Sequence, residues 1–280
     1  MPAPGMSRPV LLAVAHGSRD PRAQATARSL ASRVSRLVPG IDVRTAFVQN
    51  AQPSLPAALA SATRDGQPDM AIVPLLLAAG YHLSQDIGAA AAQAGVPVAG
   101  PLGPDPRLIP ALADRLAAAG APDRVPVVLA AAGSADPRAL AATQRQAALL
   151  AAHRQAPVLA AFAAAGRPTV AEAVATLAGP AGAPVAVAAY LLAPGLFHDR
   201  LAGSGAAWVS APLGDHPAVA ALVLDRYFVA AKETGPHNRG HDLTPLAADR
   251  PGAADPADRP ALAGAGRPGR PRHAGRRGDS

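Results

Sequence analysis

Two stretches of this 280-residue chain carry the same landmarks in the same order, at an offset of about 116 residues. His16-Gly17-Ser18-Arg19-Asp20-Pro21 aligns with Ala132-Gly133-Ser134-Ala135-Asp136-Pro137, and Gly80-Tyr81-His82 aligns with Leu196-Phe197-His198. Between and beyond them, Phe47 and Pro53-Ser54-Leu55 answer to Phe162 and Pro168-Thr169-Val170. Pro101-Leu102-Gly103 with Asp105 and Pro106 answers to Pro212-Leu213-Gly214 with Asp215 and Pro217. Solenoid repeats have periods of ~20–50 residues, so a period this long predicts that each copy is a domain in its own right. The expected division is residues 8–120, a degenerate second copy over 125–232, and a tail over 233–280. The copies are chemically unequal, because Ala132 stands where the first copy has His16.

Each copy alternates strand and helix patterns. In the first, apolar runs at 10–15, 41–48, 70–77 and 96–99 have strand length, and helices are expected over 21–38, 53–64 and 84–94, with another starting at Asp105-Pro106. Asp20-Pro21 supplies a capping side chain and a proline at the first helical position. The second copy repeats the scheme, with strands near 127–131, 158–162, 185–192 and 207–211 and a last helix over 217–230. Strands that are apolar on both faces and separated by helices indicate parallel sheets covered on both sides. The fold class is therefore α/β, as two doubly wound domains in tandem.

Composition excludes several functions. There is no cysteine, which removes disulfides, zinc-thiolate sites and a cysteine nucleophile. The longest apolar run near the start, residues 10–15, is too short for a secretory or membrane segment, so a cytoplasmic location without membrane contact is expected. From Glu233 onward eight arginines face six acidic residues, leaving a mildly basic body within the net charge of +7. No basic run is interleaved with aromatics, which argues against a nucleic-acid partner; scattered arginines suit a small polyanion better.

Ligands of open parallel sheets bind beyond the carboxyl ends of the strands. His16 stands at that end of the first strand, and Tyr81-His82 is expected in the loop after the third, so two imidazoles from separate loops face one crevice. Imidazole both ligates a borderline divalent metal and moves protons near neutral pH. Two such ligands without a carboxylate or thiolate make an open site that suits delivery of a metal better than its storage. Gly17-Ser18 at the strand-to-helix turn reads either as an anion-binding turn or as a plain helix cap, and Arg19, replaced by Ala135 in the second copy, is a candidate ligand contact. His198 reads as a residual substrate contact or a packed remnant, and Asp199-Arg200 beside it are expected to face solvent.

The strand followed by His16-Gly17-Ser18-Arg19, together with Val73-Pro74-Leu75-Leu76-Leu77-Ala78-Ala79-Gly80-Tyr81-His82, resembles the class II chelatases, in particular the sirohydrochlorin cobaltochelatase and ferrochelatase family. The likeness covers residues 9–228. It implies two tandem flavodoxin-like, chelatase-like domains, with His16 and His82 holding the metal and assisting removal of pyrrole protons. It further implies substrate contacts at Ser18, Arg19, Gln49, Leu77, Ala78, Ala79, Gly80 and Tyr81. The partners it implies are sirohydrochlorin, an eight-carboxylate tetrapyrrole, and Co²⁺ or Fe²⁺ as substrate metal, with no tightly bound cofactor. Two halves in one chain would form as a monomer the cleft for which a half-sized protein needs a dimer.

One departure stands out. The family usually carries a glutamate in the loop after the second strand, whereas this chain has amides at Gln49 and Gln52. Gln49 can hydrogen-bond but can be neither a base nor a negative charge. A non-catalytic cobalt or nickel metallochaperone using the same histidine pair is the main alternative; a hydrolase built on Ser18, His82 and Asp86 lacks the G-x-S-x-G elbow.

The tail from Gly235 has almost no aromatic or β-branched residues and is rich in Pro, Gly, Ala and Arg, a composition that cannot offset its ordering entropy. Truncation after Ala231 is expected to leave both melting temperature and activity unchanged, as calorimetry and a turnover assay on the shortened protein would show.

Overall fold

Strand β1 (Val10–Ala15) forms the middle of a parallel sheet because it is apolar on both faces: Val10 to Val14 are all at most 1% exposed. It pairs with β2 (Asp42–Phe47) on one side and β3 (Met70–Pro74) on the other, so that Val10 lies opposite both Asp42 and Met70. The computed structural model describes residues 8–64, 69–78 and 80–233, with the side chains of 63–64, 81–84 and 233 outside that description. In the second copy β4 (Val127–Gly133) takes the same central place. The parallel order is β5-β4-β6-β7, formed with β5 (Val158–Ala165), β6 (Ala186–Ala189) and β7 (Trp208–Val209).

Helices α1 (Pro21–Leu37), α2 (Leu55–Arg64), α3 (Tyr81–Ala94) and α4 (Ile109–Ala118) alternate with the first set of strands. The second copy adds α5 (Pro137–Arg154), α6 (Val170–Ala178), the short α7 (Leu196–Asp199) and α8 (Pro217–Glu233). The expected caps are made: Asp20 Oδ1 accepts from the Arg22 amide and Asp136 Oδ1 from the Arg138 amide, each ahead of a proline at the helix start. The two α/β halves with parallel sheets agree with the sequence reading. Among the described residues no helix is long and apolar enough to cross a membrane.

Two expectations shift. The run at 96–99 is not a strand but a single bridge, with Val98 beside Ile72; Pro97 contributes a carbonyl to the Ile72 amide and has no N–H of its own to extend the ladder. Helix α3 begins at Tyr81, three residues before its expected start at Ser84, with Gly80 in an extended conformation as its N-cap. His82 therefore lies in the first turn of a helix and not in a loop.

The halves are joined by exchange of their last helices. Helix α4 follows the first sheet in sequence but packs on β6 and α5; helix α8 follows the second sheet but packs on β3 and α1. One face of each sheet thus contributes to one core, with Leu11 and Ala13 of β1, Val127 and Leu129 of β4, and Val219, Val223 and Tyr227 of α8 in a single buried cluster. The opposite faces close separately, Val10 and Leu12 against α2 and α3, Val128 and Ala130 against α6. Residues 8–233 lie within one compact unit. The expected tail, 235–280, lies outside the described residues.

A polar latch sits beside this core. The Asp105 carboxylate, whose side chain is 8% exposed, takes Arg226 of α8 at 2.9 Å and Arg107 at 2.8 Å. Its backbone amide donates to Oε1 of Gln146 in α5, a fully buried side chain, and Arg226 Nε donates to the Pro101 carbonyl. Burial pushes the Asp105 carboxyl up, but hydrogen bonds from Arg107 and the charges of Arg107 and Arg226 outweigh it, so its pKa lies below the ordinary 3.8. A carboxyl depressed in the folded state stabilises the fold above its unfolded pKa, and that contribution fades as pH falls through the folded value. Asp105→Asn is accordingly expected to cost about 2 kcal/mol at pH 7, seen as a lower denaturant midpoint. The difference from wild type should shrink below about pH 4, near the unfolded pKa.

Candidate functional site

The turn after β1 is built on a glycine whose conformation and close neighbours disfavour any side chain. Gly17 has φ +92°, and a Cβ there would sit 1.7 Å from the Gln49 carbonyl oxygen. The duplicated turn repeats the device, since Gly133 has φ +97° and its Cβ would sit 1.9 Å from the Ala165 carbonyl. In both copies the serine that follows accepts the amide of the aspartate two residues on, Ser18 Oγ from Asp20 and Ser134 Oγ from Asp136, each at 3.0 Å. Ser18 therefore makes the same turn bond in a half that keeps its histidine and in one that lacks it, which favours capping over anion binding. Gln24, reaching back from α1, donates to the Ser18 carbonyl at 2.9 Å.

This turn delivers His16 to the surface at the carboxyl end of β1. Gln49, at the end of β2, clasps it twice: its backbone amide donates to the His16 carbonyl, and its side-chain amide nitrogen lies 2.8 Å from His16 Nε2. The amide N–H of Gln49 thus faces the ring nitrogen and holds the orientation of the imidazole. Nε2, a nitrogen able to ligate a metal, lies against an amide that carries no charge. Gln52 does different work: its side-chain oxygen accepts the Ser54 amide, and its carbonyl accepts from Arg28.

His198 is bound in the opposite sense. Its Nε2 lies 3.0 Å from the Ser210 carbonyl, which only accepts, so here Nε2 carries the proton and is tied to backbone. Asp199 does not simply face solvent: it takes Arg22 of α1 at 2.7 Å, an ion pair between the halves at the mouth of the first-copy turn.

The remaining predicted residues fall as follows. Arg19 is exposed beside the turn. Leu77 and Ala78 are half-buried in the segment after β3, Gly80 caps α3, and Tyr81 and His82 occupy its first turn. Ala79 lies outside the described residues, as do the side chains of Tyr81 and His82. Since β1 and β3 are adjacent and parallel, the backbones carrying His16 and His82 leave the same edge of one sheet. Among the described residues no group of three or more His, Asp or Glu side chains is arranged to hold a metal.

A cavity of about 140 Å³ opens beside His16. Its walls are His16, Ser18 and Gln24 from the first half and Leu192, Ala193 and Gly214 from the second. A wider groove of about 370 Å³ shares Thr26 and Gly214 with it and continues along α1 to Arg115 and Asp215. The cleft is thus lined by both halves, and among the described residues the imidazole on its wall is His16 of the first.

A family model, CbiX, matches this chain twice, over residues 10–119 and again over 126–230. The chain belongs to the CbiX family. The paired match restates the duplication, and the resemblance to class II chelatases read from the His16 and His82 motifs holds. Among curated relatives, the sirohydrochlorin cobaltochelatases of Methanosarcina acetivorans and Methanosarcina barkeri are each 32% identical over 77 residues, 28% of this chain. The chain spans 59% of the length of each of these relatives. Among solved structures, SirB from Bacillus subtilis with Fe³⁺ superposes with a TM-score of 0.71 at 24% identity, covering 80% of this chain and 96% of that one. The sirohydrochlorin chelatase SirB from Bacillus subtilis subspecies spizizenii in complex with cobalt gives 0.66 at 23%, covering 81% and 97%. At these identities the superpositions establish the fold, including both halves of this CbiX protein.

Sequence reasoning missed the clasp of Gln49 on His16, although it singled out Gln49, and it missed Tyr190, whose hydroxyl reaches the Leu77 carbonyl. The two turn glycines give a paired test. Gly17→Ala and Gly133→Ala should each lower stability by at least 1–3 kcal/mol, from the positive φ and the backbone overlap, as measured by chemical denaturation. Only the first should disturb the ring resonances of His16.

Proposed function

We propose that this CbiX protein is a sirohydrochlorin chelatase that inserts Co²⁺ or Fe²⁺, its substrate metal, into the tetrapyrrole in the cytoplasm, as a step toward cobalamin or siroheme. The observation that carries the reading is the placement of His16 on the wall of a cleft shared by the two halves, its Nε2 oriented by Gln49, at the sheet edge from which the His82 backbone also leaves. The names of the curated relatives and of the SirB structures support the choice of sirohydrochlorin and of cobalt or iron.

In this mechanism His16 and His82 hold the metal through neutral imidazoles and leave its other positions to water and to the pyrrole nitrogens that will take it over. As the metal passes to the macrocycle two inner N–H protons must leave, and the freed imidazoles are the bases within reach. Gln49 orients the His16 ring and is displaced when Nε2 takes the metal; being an amide, it neither competes for the proton nor holds the cation back. Ser18, Arg19 and the 77–81 segment then line the path of the macrocycle, with Arg19 and Arg115 as cations for its carboxylates. A single chain encloses the cleft, so a monomer suffices. The uncharged Gln49 also favours a second reading, a metallochaperone that binds Co²⁺ or Ni²⁺ without metallating a macrocycle. Turnover of metal-free sirohydrochlorin, followed by its absorbance, separates the two.

His16→Ala and His82→Ala are each expected to lower metal insertion by roughly 100-fold or more, with the double variant no worse than either because the pair acts as a unit. His198→Ala should retain most activity, since its Nε2 serves the Ser210 carbonyl. An inactive His198→Ala beside an active His16→Ala would place the site in the other half.

A further inference from the structure

The two copies differ at a second point besides His16 and Ala132. In the first, the Leu75 amide donates to the Val14 carbonyl where the chain leaves β3; in the second, the Tyr190 amide donates to the Ala130 carbonyl at the matching place beyond β6. Leu75 and Tyr190 are therefore structural counterparts, one a hydrocarbon and one a phenol. The residues that follow correspond too, because Leu76 accepts from the Leu102 amide as Leu191 accepts from Leu213. The correspondence breaks at the next carbonyl. Leu192 accepts from the Gly214 amide within its own half, whereas the carbonyl of its counterpart Leu77 accepts the Tyr190 hydroxyl, at 3.0 Å, from the other half.

That hydroxyl is set firmly. Tyr190 is 3% exposed, and Gly103 packs so closely on the junction that a Cβ there would lie 2.0 Å from the Tyr190 hydroxyl and 2.5 Å from the Leu77 carbonyl. Burial also pushes the phenol pKa well above its ordinary 10.0, so the group stays a donor at any working pH. Leu77 stands five residues before His82 in sequence, and after β3 the chain is held at Leu76 by Leu102 and at Leu77 by Tyr190.

We propose that Tyr190 is a positioning residue for the metal site, reaching from the degenerate half to hold the Leu77 carbonyl and thereby the segment that carries His82. This rests on the assignment of His82 as a metal ligand. The second half, having lost an imidazole at Ala132, supplies the hydrogen bond that orients the first half's ligand segment, in the way outer partners of metal ligands tune affinity and rate.

Tyr190→Phe removes one oxygen from a packed ring and tests this directly, with wild type, His82→Ala and Tyr190→Leu, the residue of the first copy, run beside it. Tyr190→Phe should keep a near-native melting temperature and KM for sirohydrochlorin, while kcat and the equilibrium affinity for Co²⁺ without macrocycle each fall ~10-fold or more. Tyr190→Leu should show the same functional loss. Wild-type kcat and Co²⁺ affinity in Tyr190→Phe, with His82→Ala inactive, would overturn the positioning role alone. An active His82→Ala would instead overturn the underlying site assignment. A Tyr190→Phe protein that fails to fold would show the hydroxyl to be a requirement of the fold, and would equally overturn the proposal.

Discussion

The shared core created by the exchange of terminal helices is the feature on which the rest depends. Because α8 lies on β3 and α1 while α4 lies on β6 and α5, neither sheet can bury its inner face without the other copy. Burial of apolar area dominates folding free energy, so the relation of the two halves is set by the same residues that make each of them stable. The cleft beside His16 inherits that fixity, with α1 as one wall and the 192–194 and 211–215 segments as the other. Polar contacts add to the junction of the halves: Asp105 with Arg226 beside the core, Arg22 with Asp199 and Ser29 with Asp215 from α1.

Duplication frees the copies to diverge while the scaffold is kept. The turn devices persist in both, as Gly17 and Gly133, Ser18 and Ser134, Asp20 and Asp136 show by making the same bonds. What has diverged is the chemistry presented by that scaffold. His16 lines the cleft with its Nε2 beside the Gln49 amide, and His198 ties its Nε2 to the Ser210 carbonyl. The turn is thus a requirement of the fold, and the imidazole is an addition to it.

The fold was legible because its signals are local. Two-sided apolar runs such as 10–15 identify buried parallel strands, and Asp-Pro pairs mark helix starts wherever they stand. The start of α3 was misplaced because its cap, Gly80, offers no side chain to read. The 96–99 run failed as a strand because Pro97 cannot donate. Helix exchange leaves no trace in periodicity: α4 and α8 have apolar faces that fit either sheet. At the site, the motif residues were visible one by one, but their hydrogen bonds were not, since the Gln49 clasp and the Tyr190 bridge join positions 33 and 113 residues apart.

The central claim is that metal is held in the first half only. Titration of Co²⁺ into protein labelled with ¹⁵N-histidine, followed through the imidazole resonances, tests it most directly. The account predicts contact-shifted ring signals from His16 and His82 on saturation, with the hydrogen-bonded Nε2–H of His198 retained. A contact shift at His198, with His16 and His82 unmoved, would contradict it.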